Sequence, residues 1–205
     1  MKKLIVAMVL AAAPIASAQD PFTHEDFDRV LSGAAWNQSP ASFRGIPFGG
    51  TESDLIAVLG PVKCADAGGV AVVRQCRATR KESRMMVDGV VIEDFYRFHA
   101  GKLVEVLLER QRVMGEWGPA PSYASVLSVF SEKYGPPTET WKTRNKGVRG
   151  IVPFEAISAS AKWQNDQISI LIDGGDGSEF SYGIIQTGDW LRELAKMPRK
   201  NTTSF

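Results

Sequence analysis

Residues 95–111 read "FYRFHAGKLVEVLLERQ", and apolar and polar side chains alternate on both sides of a short break. In an extended chain Val104, Val106 and Leu108 point one way, while Glu105, Glu109 and Gln111 point the other. His99 to Lys102 supply the break, so the stretch predicts a β-hairpin. Residues 157–173, "ISASAKWQNDQISILID", repeat the idea. Ile157, Ala159, Ala161 and Trp163 alternate there with Ser158, Ser160 and Lys162, and Ile168, Ile170 and Ile172 continue the apolar face. A period of two with one apolar side is the habit of antiparallel sheets covered on one face and wet on the other. Asp88-Gly89, between "MMV" and "VVI", marks a further tight turn.

Helical spacing appears at four places. Phe27, Val30, Leu31 and Ala34 predict a short helix over 24–35. In "FRGIPFGGTESDLIAVLGP", Thr51 caps a helix carrying Leu55, Ile56, Val58 and Leu59, and Gly60-Pro61 stops it. In "SYASVLSVFSEKYGPP", Ser122 is the cap, Tyr123, Val126, Leu127, Phe130 and Tyr134 share a face, and Gly135-Pro136 is the stop. "EFSYGIIQT" reads as a strand, and "DWLRELAKM" as a helix with Trp190, Leu191 and Leu194 inward. The fold class expected is α+β: two layers, an antiparallel sheet with helices on one face. Phe98 and Leu103 match Trp163 and Ile168 at an offset of 65, and the Gly-Pro stops lie 75 apart, which suggests two degenerate helix–hairpin units. The divisions are then 1–18, 19–42, 43–116, 117–197 and a tail, 198–205.

The opening "MKKLIVAMVLAAAPIASAQD" orders a basic pair, an apolar run and Ala16-Ser17-Ala18, as a cleavable signal peptide does. Cleavage after Ala18 would leave the protein periplasmic or secreted. No cysteine follows that box, so no lipid anchor is expected, and no second long apolar run predicts a membrane span. Without Lys2 and Lys3 the 24 Lys+Arg fall to 22, against 23 Asp+Glu. Such a balance, with no dense basic run, argues against a nucleic-acid partner.

"RGIPFGGTESDLIAVLGP" followed by "YRFHAGKLVEVLL" resembles the helix, Gly-Pro stop and F-x-x-G-K-L hairpin of small bacterial envelope proteins. These are the outer-membrane-assembly lipoproteins of the small-protein-A type and the β-lactamase inhibitor proteins, which carry two such units. The resemblance covers residues 44–113 and, more loosely, 122–186. It implies a protein that binds an envelope or periplasmic protein and is not an enzyme. The missing lipobox departs from the lipoprotein family, and no inhibitory loop is matched, so no site residue is carried over.

Read for chemistry, the residues offer little. Cys64 and Cys76 have eleven residues between them, too many for a Cys-x-x-Cys redox pair. A zinc site would need more than His24 and His99 to complete it. An even pair in an oxidising compartment reads as a disulfide, tying the exit of the first Gly-Pro helix to the first strand. No catalytic residue and no cofactor are predicted. Asp173, Asp176 and Glu179 in "DGGDGSE" are read first as a Gly-rich strand connection. Calcium, in a cation-dependent enzyme or calcium-binding protein, is the alternative. Candidate partner contacts are His99 in the first hairpin, Arg144 and Arg149 in the expected turn "RNKGVRG", and Trp117 in a Gly/Pro linker.

Overall fold

A computed structural model describes residue 36 and residues 40–67, 73–80, 83–113, 116–149, 152–174 and 179–197. The expected signal segment, the helix expected over 24–35 and the tail 198–205 lie outside the described residues. Within them the chain order is β1 Ser42–Phe43, β2 Ile46–Pro47, α1 Glu52–Leu59, β3 Val62–Ala67, β4 Val73–Ala78, β5 Met85–Val87, β6 Val90–His99 and β7 Lys102–Arg110. There follow β8 Arg112–Val113, β9 Glu116–Trp117, α2 Tyr123–Tyr134, β10 Glu139–Arg149, β11 Val152–Gln164, β12 Ile168–Gly174, β13 Phe180–Thr187 and α3 Gly188–Lys196. Nine strands form one antiparallel sheet in the order β10-β11-β12-β13-β7-β6-β4-β3, with β5 beside β6.

The helix ends follow their sequence signals. Thr51 and Asp54 make a reciprocal capping box at α1, and the bonds from Thr51 hold the Asp54 carboxyl below the usual carboxylate range. The Ser122 hydroxyl accepts from the Ser125 amide at 3.0 Å to start α2. Gly60 and Gly135, at φ 76° and 79°, end α1 and α2 in a backbone region that few other residues enter. The last carbonyls of α2 are taken by indoles: Trp36 Nε1 donates to Tyr134 O at 3.1 Å and Trp163 Nε1 to Gly135 O at 2.8 Å.

The expected hairpins form. Ala100-Gly101 and Asp88-Gly89 both have positive φ, as two-residue turns matching the strand twist require. The turn expected over 144–150 does not. β10 stays paired with β11 as far as Arg149 opposite Val152, so Arg144 and Arg149 lie on a strand. Their side chains are outside the described part. The cysteines form a disulfide, but Cys64 and Cys76 sit opposite each other on β3 and β4. The bridge therefore joins two strands, because the chain is already extended from Val62, directly after the helix stop.

Helices α1 and α2 cover one face. Leu55, Leu59, Val126, Phe130 and Tyr134 share a core with Tyr96, Leu108, Trp163, Ile170 and Ile172. The expectation that all helices share this face is corrected by α3. Its Trp190 donates to Glu105, which belongs to the opposite face, and Trp190 and Leu191 are buried there. The expected wet face is corrected too. Glu105, Ser158, Ser160 and Lys162 are all buried, and β12 is withdrawn from water on both sides. Alternation separates two faces but does not report whether the polar one is later covered. Val104 also departs from its expected place. Arg97 pairs with Glu105 while Phe98 pairs with Leu103, so Val104 is an extra bulged residue and Leu103 turns into the core.

The offset of 65 places hairpin β6–β7 on hairpin β11–β12. In the sheet β7 lies at the central seam with β13, whereas β12 lies one strand away from it. Those two hairpins do not occupy corresponding positions.

Candidate functional site

The face opposite α1 and α2 is built from three cross-strand rows. The first runs Gln75, Arg97, Glu105, Gln186, Ser169, Gln164 from β4 to β11. The second runs Phe95, Leu107, Ile184, Leu171, Lys162, Glu139, and the third runs Glu93, Glu109, Tyr182, Asp173, Ser160, Trp141. A largely apolar row thus lies between two polar ones. Register alone places these side chains together, because partners directly opposite on antiparallel strands share a face.

Glu105 is the node of the first row. It accepts from Arg97 at 2.5 Å, from Gln186 Nε2 at 2.7 Å and from Trp190 Nε1 at 3.3 Å. Arg97 in turn donates to Gln75 at 2.9 Å. A buried carboxylate needs such donors to offset its lost hydration. The network holds α3 down on the sheet, helped by the Thr187 hydroxyl, which accepts from the Trp190 amide at 3.3 Å. His99 also serves α3: its ring lies 5.0 Å from that of Trp190, and Nε2 is 3.3 Å from Glu193. Glu105 was missed by sequence reasoning. The only available signal was an amphipathic helix following β13 without a linker, which must pack on one face or the other.

Away from α3 the face opens. Phe95, Leu107 and Tyr182 are half-buried, as are Glu93, Arg97 and Glu109 around them. Glu93 and Glu109 stand directly opposite each other, a pairing that costs stability, and Arg77 approaches Glu93 at 3.6 Å. At the other end Lys162 is wholly buried, with Nζ 3.0 Å from Glu139.

The remaining sequence candidates are dispersed. Asp173 accepts from Ser160 at 2.6 Å, and Glu179 pairs with Arg110 at 3.3 Å, so both are engaged by protein groups. Asp176 lies outside the described residues. Among the described residues, the one trio of His, Cys, Asp and Glu close enough to share an ion is Glu52, Cys64 and Cys76, and the disulfide removes both thiolates as ligands. Trp117 lies in β9 with its backbone opposite Arg112, and its side chain is outside the described part. No known protein family, curated protein or solved structure matches this chain.

Proposed function

We propose that this chain is a non-enzymatic protein-binding module of the bacterial periplasm: an inhibitor, adaptor or envelope-assembly factor. It presents the open part of its second sheet face to another protein. The observation that carries this reading is the strip of Phe95, Leu107 and Tyr182 bordered by Arg97, Glu93 and Glu109. An aromatic and aliphatic centre with a charged rim is how recognition surfaces are composed. The Glu93–Glu109 pairing fits the same reading, since Arg77 answers Glu93 at 3.6 Å and a cationic group on the partner would answer Glu109. The disulfide and the N-terminal signal pattern support an oxidising compartment.

The order of elements supports an internal duplication within 43–116 and 117–197. α1 precedes β3, β4, β6 and β7, α2 precedes β10 to β13, and the last strands of the two sets pair with each other. That arrangement also favours kinship with the two-unit envelope proteins that the sequence resembles.

The test is site-specific photocrosslinking in cells producing the full chain. A photoreactive residue at Glu109, on the rim, should give one recurrent protein adduct, and one at Ile56, exposed on α1, should not. The adduct should disappear with Phe95→Ala. Equal adducts from both positions, or none from Glu109, would overturn the reading.

A further inference from the structure

We propose that the slit where β4 and β5 part along β6 is a binding site for a small oxyanion, a phosphate or carboxylate group. β6 pairs with β4 through Tyr96 to Phe98 and with β5 through Val90 to Ile92. Glu93, Asp94 and Phe95 fall between the two and, among the described residues, have no partner strand on that side. A cleft of about 170 Å³ occupies this opening, lined by Lys63, Arg77, Thr79, Arg84, Glu93 and Asp94. That volume is several times the roughly 30 Å³ share of one water, so a tetrahedral or planar oxyanion has room.

The charges around the slit do not cancel. Glu93 is answered by Arg77 at 3.6 Å. Asp94, buried, takes an ion pair from Arg44 and a hydrogen bond from the Tyr96 hydroxyl at 2.7 Å. With both acids matched, Lys63 and Arg84 remain. Among the described residues neither side chain has an ion pair or hydrogen bond, although both line the same cleft. Arg84 is half-buried and Lys63 is exposed, so the cleft sets one partly withdrawn cation and one solvated cation at its lining. A guanidinium fork and an ammonium across a small opening match the two chemistries of phosphate and carboxylate. This site lies apart from the α3 network; it shares Glu93 with the rim of the proposed recognition strip, but its argument rests on Lys63 and Arg84 and does not need that reading.

Titration of the full chain with sodium phosphate, followed by amide NMR, tests it. Sodium chloride at matched ionic strength is the control, and succinate is run as a second ligand. Phosphate or succinate should give saturable shifts at Lys63, Arg84 and Thr79 that chloride does not. A response to phosphate alone assigns a phosphoryl group, and an equal or stronger response to succinate assigns a carboxylate. Lys63→Gln and Arg84→Gln should each weaken binding about tenfold, and Arg84→Lys should retain most of it. Unshifted α2 signals in each variant verify its fold, and Arg84→Lys carries the comparison if a glutamine variant loses them. Shifts no larger than with chloride, or affinities unchanged in the variants, overturn the site.

Discussion

Glu105 shows how one side chain can hold two elements together. Its carboxylate joins Arg97 of β6, Gln186 of β13 and Trp190 of α3, and all but Arg97 are buried. Removing it would strand three donors, and breaking a buried charge pair costs about 3 kcal/mol or more. Glu105→Ala should therefore lower unfolding free energy by about 3 kcal/mol in denaturant titration, and Glu105→Gln by less, because an acceptor of the same size remains. In the sequence this residue is one polar position in a strand repeat. Its neighbours across the sheet, 81 and 85 residues away in the chain, make it a node.

At the scale of elements, β3 is the edge of the sheet and, among the described residues, pairs only with β4. The ion pairs there, Arg74 with Glu52 at 2.6 Å and with Asp66 at 3.6 Å, are solvated and add little. The Cys64–Cys76 bridge is what secures the edge. Closing a loop of this length stabilises a chain by about 3 kcal/mol in the entropic model. Thiol titration should find no free sulfhydryl before reduction. Cys64→Ala/Cys76→Ala should lower stability by about 3 kcal/mol and speed amide exchange in β3 ahead of β6 and β7. Two thiols titrating in the native protein would contradict the bridge. The helix stops, the two tight turns and the pairing of the cysteines were legible because local chemistry sets each one. The turn expected over 144–150 was misread because its Gly and charged residues also suit a long exposed hairpin, and only the register with β11 decides.

Across the whole molecule, the core runs without interruption from Phe43 to Ile185 and buries tyrosines on both sides of the β7–β13 seam. Burial pushes the Tyr134 phenol up to about 12. Burial and the nearby Asp173 charge do the same for Tyr123, at about 12. Burial, then Asp94, drives Tyr96 higher still. A phenol whose folded pKa is raised favours the fold fully below its unfolded value near 10, and that contribution is lost as pH rises through and above it. Melting temperature should accordingly hold up to about pH 10 and then fall, as the unfolding free energy drops by up to about 1.4 kcal/mol per pH unit per phenol. In a Tyr182→Phe chain, which keeps only the three core tyrosines, phenolate absorbance and far-ultraviolet circular dichroism should change together, because one shared core predicts one cooperative transition. An early phenolate signal from a folded chain would contradict that burial.

By itself the sequence determined the α+β class, the capped helices with their Gly-Pro stops, the two tight turns and, except at the bulged Val104, the apolar face of β7, β11 and β12 where they meet the core. Propensity, turn chemistry and period-two patterning all act within a few residues. Tertiary structure alone decided that the strands join in one sheet through β7 and β13, that the polar row of Glu105 lies buried beneath α3, and that β4 and β5 part over Asp94. Those outcomes depend on register and cover, which are set by groups far apart in the chain and leave no mark in local alternation.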